Sequence, residues 1–206
     1  LLITQCKSYA LIFSFQANIT AIIIAKFLNK KIIIRSNSSP NFYAKNFIKR
    51  FFMKQIFKFA DRVIVNSLEF KNEFKKYFNI TAVVIYNSIE NKNILLKKYN
   101  KKINFNFFDK SKNSIKLLSI GRLVEQKDHL TILKAINLLK TKKNFLFCLI
   151  GKGYLNDKIL DYINTNNLQR RVRVLDYKEN VYPFYKKADI FILSSLYEGL
   201  PNTLIE

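Results

Sequence analysis

The chain has 206 residues, of which 36 are Lys or Arg and 14 are Asp or Glu, giving a formal net charge of +22. Hydrophobic residues make up 49% and aromatic residues 15%, so the chain is too apolar for a disordered basic tail and can build a core. Its two cysteines, Cys6 and Cys148, are far apart and form no CxxC pair. This excludes a disulfide scaffold and favours buried thiols in a reducing compartment.

The positive charge does not by itself indicate a nucleic-acid partner. Lysine supplies 29 of the 36 basic residues, whereas base recognition favours the bidentate fork of arginine. The charge is also uneven: residues 1–108 hold 19 basic and 4 acidic residues, and residues 109–206 hold 17 and 10. We therefore predict no nucleic-acid partner and assign the excess charge to the first half.

Short β-branched runs alternate with longer segments of helical period, which predicts βαβ units and parallel sheets. In the first half we predict strands at 9–15, 31–35, 62–66 and 82–86, and helices at 17–28, 42–60 and 68–78. A Lys/Asn-rich stretch follows. In the second half we predict strands at 115–120, 145–150, 172–175 and 189–194, helices at 130–140, 155–164 and 181–187, and a last helix beginning near Pro201. The sequence thus predicts an α/β chain of two doubly wound domains, 1–89 and 114–206, joined by a linker over 90–113.

All four glycines, Gly121, Gly151, Gly153 and Gly199, lie in the second half, at or shortly after the ends of predicted strands. Loops at the carboxyl ends of parallel strands face a shared crevice where ligands bind. Glycine there lets the backbone approach a ligand or adopt a positive φ. Turn chemistry alone would explain any one of the four, but their joint placement favours a ligand crevice.

Charged residues accompany these glycines. Arg122 and Lys127 share one loop ahead of a helix that Asp128 could cap, and two cations at a helix start suit a diphosphate. In the last loop, Glu198 precedes the helix and Glu206 lies along it. Carboxylates accept hydrogen bonds from sugar hydroxyls. The alternative is a solvated loop acid and an acid favoured by the helix dipole.

With those loops, the sequence resembles the retaining glycosyltransferases of family 4, whose GT-B fold has two facing Rossmann-like domains. The match extends over about residues 60–206, including what looks like the family's E-x7-E signature; residues 1–59 match only loosely. Pro201 stands where the family commonly has a glycine, and this EGLPN form is familiar in enzymes that build surface polysaccharides. The matching segments are Ser119–Lys127 (SIGRLVEQK), Leu149–Gly153 (LIGKG), Ala188–Ser195 (ADIFILSS), Glu198–Glu206 (EGLPNTLIE), Ala60–Ser67 (ADRVIVNS) and Val83–Glu90 (VVIYNSIE).

The resemblance implies a role for each matching residue. Glu198 would be catalytic, contacting the donor sugar or the reacting centre. The donor diphosphate would be held by Arg122, Lys127, Asn202 and Thr203, the donor sugar or ribose by Glu198, Gly199, Leu200 and Glu206, and the nucleobase would lie near Asp176, Tyr177 and Lys178. No metal and no cofactor are expected, because the nucleotide-sugar is a substrate and the sequence has no DxD motif.

The activity implied is transfer of a sugar from a nucleotide-sugar donor, with UDP the expected carrier, to a glycan or lipid-linked acceptor with retention of configuration. This would serve polysaccharide or lipopolysaccharide biosynthesis for the cell envelope. Two alternatives stay open: another GT-B sugar-nucleotide enzyme of the epimerase or phosphorylase type, and a non-catalytic nucleotide- or nucleic-acid-binding or inactive truncated product. Because the chain starts at Leu1 inside an apolar run and stops at Glu206 within a predicted helix, we interpret it as a fragment with both domains incomplete.

Two further features have competing interpretations. His129, the one histidine, could be a general base, but a first-turn helix residue is favoured. The predicted helix Phe42–Ala60 carries five basic residues among phenylalanines. It is either a core helix with a basic outer side or a docking surface for anionic lipid. We expect a cytoplasmic protein, peripheral on the inner face of the cytoplasmic membrane.

Overall fold

The computed structural model describes residues 10–40, 46–88, 90–110 and 113–206. They form two compact units, each built around a four-stranded parallel sheet. The first unit ends at Ser88 and also includes Glu198–Asn202; the second comprises residues 90–197 and Thr203–Glu206. Cys6 and the beginnings of the predicted strand 9–15 and helix 42–60 lie outside the described residues.

The first unit has the strand order β1-β2-β3-β4, which follows the chain. Right-handed crossovers between successive parallel strands place the intervening helices on one face of such a sheet. The strands are β1 (Leu11–Ser14), β2 (Lys31–Ser36), β3 (Arg62–Val65) and β4 (Val83–Val84), and the helices are α1 (Asn18–Phe27), α2 (Phe47–Lys58) and α3 (Leu68–Phe78).

The core of the first unit lies between this sheet and its helices. Every second residue of β2 and β3 is buried there, as the period of two requires, whereas Ile33 and Ile64 between them are only half-buried. Phe57 of α2 packs with Phe74 and Phe78 of α3, with ring centroids 5.3–5.5 Å apart. This cluster fixes α2 and α3 together over the sheet.

The strand order of the second unit contains a reversal. Its strand order is β7-β6-β5-β8, so the chain builds outward from β5 to β7 and then returns to the other side of β5. Its elements are α4 (Lys92–Tyr99), β5 (Ile115–Ile120), α5 (His129–Leu139), β6 (Phe145–Ile150), α6 (Asn156–Thr165), β7 (Val172–Leu175), α7 (Tyr182–Lys187), β8 (Ile190–Phe191) and the four-residue α8 (Asn202–Ile205), the last shared between the two units.

Both faces of the second sheet are covered, which explains its continuous apolar strands. All six residues of β6 are buried. One core packs α5 and α6 on the sheet. The other core takes Phe105, Phe107 and Phe108 from the predicted linker 90–113, which also contains α4.

The fold class predicted from the sequence is confirmed. The bounds of β5, β6, β7 and α3 coincide with those predicted. The other predicted helices and strands are present with ends displaced by up to five residues, and β8 has two residues where six were predicted. The Lys/Asn-rich composition of 90–113 gave no signal of helix α4.

Candidate functional site

A cavity of about 470 Å³ opens at the carboxyl ends of β5, β6 and β7 in the second unit. This is the edge at which open α/β sheets bind ligands, beside the point where the strand order reverses. Three cationic side chains and one carboxylate occur in its lining. The lining residues are Ile120, Gly121, Arg122, Ile150, Gly151, Lys152, Asp176, Tyr177, Lys178 and Val181.

The loop that carries Arg122 is fixed by backbone hydrogen bonds to the loop after β6. The Gly121 N–H donates to the Ile150 carbonyl and the Leu123 N–H donates to the Lys152 carbonyl, both at 3.0 Å. The Leu123 carbonyl in turn accepts from the Leu155 N–H at 3.0 Å. Arg122 is therefore presented to the cavity from a loop held on both sides.

Two glycines permit this close approach of the loops. A Cβ on Gly153 would lie 2.7 Å from the carbonyl carbon and 2.8 Å from the amide nitrogen of Leu123. A Cβ on Gly151 would lie 3.0 Å from the carbonyl carbon of Gly121. No glycine among the described residues has a positive φ. The sequence pattern located the crevice correctly, but these glycines admit a neighbouring backbone, a reason that differs from the predicted one.

Lys127 follows in the same loop, at the end of a 3-10 turn over Glu125–Lys127. Asp128 next to it adopts a left-handed conformation, with φ 44°. The Ser194 hydroxyl, in the segment after β8, lies 2.8 Å from the Lys127 carbonyl and 2.9 Å from the Asp128 carbonyl. The predicted helix cap by Asp128 is wrong: its carboxylate accepts from the Thr131 hydroxyl at 2.7 Å and from no helix N–H, because the left-handed backbone turns it aside.

His129 begins α5 and is buried, with 2% of its surface exposed. Its Nε2 lies 3.2 Å from the Arg122 carbonyl, and its Nδ1 lies 3.5 Å from the Ser119 hydroxyl. A carbonyl only accepts, so Nε2 carries the proton and Nδ1 accepts from Ser119. Burial is the main cause that lowers the pKa of His129. The predicted first-turn helix position is confirmed.

The three residues predicted near the nucleobase line the same cavity as Arg122. An Asp176 carboxylate oxygen accepts from the Tyr177 N–H at 2.7 Å, which shapes the loop after β7. Tyr177 is 68% exposed and so offers an aromatic ring at the cavity. The structure thus brings Asp176, Tyr177 and Lys178 together with Arg122.

Lys152 also lines the cavity, between the two glycines of the loop after β6. No role was predicted for it. Its one distinguishing feature in the sequence is its position between Gly151 and Gly153 at the end of a predicted strand.

The segment Glu198–Asn202 belongs to the first unit. Gly199 packs there so closely against the Asn66 side chain and the Phe70 ring that no Cβ would fit. The Asn202 side-chain oxygen accepts from the Asn87 amide at 2.6 Å. Glu198 and Leu200 lie in the same segment. The predicted roles of these residues toward a donor stay predictions.

Thr203 and Glu206 belong to the second unit. The Tyr185 hydroxyl donates to the Thr203 carbonyl at 2.8 Å. Burial, and then the nearby Glu90 carboxylate, raise the pKa of Glu206, while Lys98 opposes them. Helix α8 ends at Ile205, so Glu206 follows the helix where the sequence placed it along one. Its predicted role at a ribose stays a prediction.

Helix α2 of the first unit has an apolar outer face, which we call the phenylalanine face. Met53 and Phe57 are its buried residues. Residues on the side away from them are aromatic or aliphatic and exposed, with Phe47 at 80% and Phe52 at 60%. The remaining members are Ile48, Phe51 and Phe59. Lys49 and Lys58 are exposed as well, so the outer side of this helix is mixed, with apolar residues beside the basic ones that were expected.

Two features are absent from the described residues. No described helix is long and apolar enough to cross a membrane. The same part of the chain has no group of three or more His, Cys, Asp or Glu side chains placed to hold a metal ion. The expectation of a metal-free reaction stays a prediction.

Residues 100–206 match the family described as "Glycosyl transferases group 1". The chain is 31% identical over 189 residues to the uncharacterized glycosyltransferase MJ1059 of Methanocaldococcus jannaschii, covering 86% of this chain and 46% of that protein. It is 28% identical over 201 residues to the N-acetylgalactosamine-N,N'-diacetylbacillosaminyl-diphospho-undecaprenol 4-alpha-N-acetylgalactosaminyltransferase of Campylobacter jejuni, covering 95% of this chain and 53% of that protein. The chain thus spans about half the length of these relatives.

Among solved structures, HepE of Anabaena in complex with UDP and glucose superposes with a TM-score of 0.70. The sequence identity is 15%, and the match covers 94% of this chain and 55% of that one. This likeness shows the GT-B fold.

Proposed function

Because the chain belongs to the group 1 glycosyl transferases, we propose that it contributes to moving a sugar from a UDP-linked donor to a hydroxyl of a glycan or lipid-linked acceptor, with retention of configuration. The observation that carries this proposal is the cavity at the carboxyl ends of β5, β6 and β7, with Arg122, Lys152 and Lys178 in its lining. Three cations around one cavity at a sheet's ligand-binding edge suit a diphosphate.

The related proteins support this choice of ligands. HepE is named in complex with UDP and glucose. The Campylobacter jejuni relative is named for a diphospho-undecaprenol acceptor. Both observations favour a nucleotide donor and a lipid-linked acceptor for this chain. Membership of retaining family 4 and a role in envelope polysaccharide biosynthesis are further parts of the proposal.

In the proposed reaction the acceptor oxygen forms a bond to the anomeric carbon, the bond from that carbon to the diphosphate oxygen breaks, and UDP leaves with the electron pair. The departing diphosphate takes up the proton that the acceptor hydroxyl loses. Arg122 and Lys127 would bind the diphosphate and stabilise its growing charge. Asn202 and Thr203 would assist them. Tyr177 would stack on the nucleobase.

The carboxylates would act on hydroxyl groups. Glu198, with Gly199 and Leu200, would contact the donor sugar at the reacting centre. Glu206 would accept from the ribose hydroxyls. The pKa of Glu206 is raised by burial and by the nearby Glu90 carboxylate. Hydrogen bonds from ribose hydroxyls would stabilise the charged form of this carboxylate in the proposed complex.

Calorimetric titration of the chain with UDP, at two salt concentrations, tests the donor site. We expect saturable binding, weakened about tenfold or more by Arg122→Ala, because a hydrogen bond to a charged group is lost. Lys134→Ala is the matched control: Lys134 is exposed on α5 and outside the cavity lining. Binding of a short RNA with steep salt dependence, without UDP binding, would favour the nucleic-acid alternative.

We also propose that the phenylalanine face docks on an anionic lipid surface. Its exposed rings would enter the boundary between headgroups and acyl chains. Lys49 and Lys58 of the same helix are exposed and would add about 1 kcal/mol each near anionic lipid. Such docking would bring a lipid-linked acceptor to the enzyme at the inner face of the cytoplasmic membrane.

Sedimentation with vesicles tests this surface. We expect the chain to bind phosphatidylglycerol vesicles more strongly than phosphatidylcholine vesicles, and the double variant Phe51→Ser/Phe52→Ser to lose that binding. Leu138→Ser is the control, since Leu138 is 76% exposed on α5 of the second unit. Equal sedimentation of the double variant and the unmodified chain would contradict the proposal.

A further inference from the structure

We propose that His129 is a positioning residue of the donor site: its ring, held between the Ser119 hydroxyl and the Arg122 carbonyl, fixes the loop that presents Arg122 to the cavity. This inference rests on the proposed donor function for its effect on binding. The structural part of it, the fixing of the loop, stands by itself.

The ring nitrogens lie between Ser119 and the Arg122 carbonyl, and the Gly121 backbone also contributes a hydrogen bond to the ring. Ser119 belongs to β5 and is fully buried, so it provides a rigid anchor below the ring. Its hydroxyl lies 3.5 Å from Nδ1, and Nε2 lies 3.2 Å from the Arg122 carbonyl. The ring therefore connects the strand that starts the loop with the loop's own backbone, seven residues before His129 in the chain.

The ring also lies close to Gly121 at the start of the loop. A Cβ on Gly121 would lie 3.6 Å from the Cε1 and Nε2 atoms of His129, ordinary contact distance. The Val124 N–H donates to the same Arg122 carbonyl at 3.0 Å, so both lone pairs of that oxygen are used. Consequently the Arg122 carbonyl accepts from two donors, which fixes the backbone from which the Arg122 side chain extends.

The protonation state agrees with this role. The pKa of His129 is lowered, first by burial and also by Lys127, although the hydrogen bonds to the Arg122 and Gly121 backbone and the charge of Asp128 oppose this. A neutral ring can donate at Nε2 and accept at Nδ1 at the same time, whereas a charged imidazolium can only donate. The same neutral ring, enclosed at 2% exposure, is poorly placed to take a proton from an acceptor. We therefore assign it to positioning and not to base chemistry.

Two substitutions of His129 test the roles of its two ring nitrogens separately. In His129→Gln the side-chain amide can still donate from near the Nε2 position, whereas in His129→Asn it reaches only the Nδ1 position. We expect UDP affinity to stay within about threefold of the unmodified chain in His129→Gln and to fall about tenfold in His129→Asn, the equivalent of one hydrogen bond. Ser119→Ala, which removes only the anchor, should give a smaller loss and keeps the test available if His129→Asn does not fold.

Hydrogen exchange of the peptide covering residues 119–128 provides a readout that needs no ligand. His129→Asn should speed exchange of the Gly121 and Leu123 amides, and His129→Gln should not. Ile136→Ala is the control for loss of packing alone, because Ile136 is buried in the same helix. The melting temperature of this variant should fall, while its loop exchange and its UDP affinity stay unchanged.

The outcomes are distinguishable. If the unmodified chain does not bind UDP, the proposed function is wrong, and the exchange comparison alone decides on His129. If loop exchange is equal in the unmodified chain, His129→Gln and His129→Asn, the positioning role is wrong. If Ile136→Ala lowers UDP affinity as much as His129→Asn does, the effect is one of stability and the positioning role is again overturned.

Discussion

Replacing Gly153 with alanine would put a methyl group into the backbone of the neighbouring loop. The methyl would lie 2.7 Å from the carbonyl carbon and 2.8 Å from the amide nitrogen of Leu123. The Leu123 N–H donates to Lys152 and its carbonyl accepts from Leu155, both at 3.0 Å. Because these atoms belong to backbone on both sides, the contact cannot be relieved by turning a side chain.

The expected cost follows from this geometry. Overpacking a fixed site costs about 1–3 kcal/mol, and displacing Leu123 weakens two backbone hydrogen bonds of about 1 kcal/mol each. Alanine also lowers the conformational entropy of the unfolded chain, which offsets about 0.4–1 kcal/mol of this loss in stability. We therefore expect Gly153→Ala to lower the free energy of unfolding by about 3 kcal/mol, and to weaken UDP binding because the Arg122 loop shifts.

Gly121→Ala is the matched control. Its methyl would lie 3.5 Å from the Lys127 side chain and 3.6 Å from His129, and Gly121 has no positive φ. We expect it to be neutral or slightly stabilising. Urea unfolding followed by circular dichroism measures both variants. A Gly153→Ala variant as stable as the unmodified chain, or a Gly121→Ala variant equally damaged, would refute this explanation of the glycines.

Three further predictions test other parts of the molecule. Asp61→Ala should cost about 1–3 kcal/mol in urea unfolding, because the Asp61 carboxylate accepts from the Ile32 N–H at 2.8 Å; an unchanged midpoint would contradict this. Cys148 should resist alkylation until the chain unfolds, because burial raises the pKa of its thiol to about 12; rapid labelling under native conditions, located by mass spectrometry, would show otherwise. The lowered pKa of His129 means that the unfolded chain binds its proton first, so the melting temperature should fall as the pH drops below about 6.5, and His129→Gln should flatten that dependence.

The fold was predictable because strand and helix signals in this chain are strong and local. The short, continuous apolar run Phe145–Ile150 favours a strand with both faces covered, because it is too short for a buried helix. The aromatic residues Phe105, Phe107 and Phe108 are buried in the second unit, yet their neighbours in sequence are Lys and Asn. Local composition therefore gave no sign of their burial, which depends on partners far along the chain.

The candidate site was predictable in position more than in detail. Glycines at strand ends led to the cavity that Arg122 lines. The close approach of Gly151 and Gly153 to another loop could not be predicted, because it depends on the spacing of neighbouring strands. Lys152 could not be assigned to the cavity either, because in the sequence it resembles any surface lysine apart from its two glycine neighbours.

Helix α2 shows where periodicity cannot decide. Apolar residues recur on two opposite sides of it, so the pattern fits burial of either side. The structure buries Met53 and Phe57 and leaves Phe47 and Phe51 exposed. Which side packs is set by the position of α3, whose Phe74 and Phe78 meet Phe57.

The two sheets share one contact between strands and differ in strand order. Both contain an Ala-Asp pair before a strand, and both aspartates accept an N–H of the neighbouring strand: Asp61 that of Ile32 at 2.8 Å and Asp189 that of Lys116 at 2.7 Å. In the second sheet, however, Asp189 joins β8 to β5 at the reversal of strand order. Loops on the two sides of a reversal diverge and leave a crevice. The described strands of the first sheet run β1-β2-β3-β4 without a reversal, whereas the cavity of the second unit lies at the ends of β5, β6 and β7, beside its reversal.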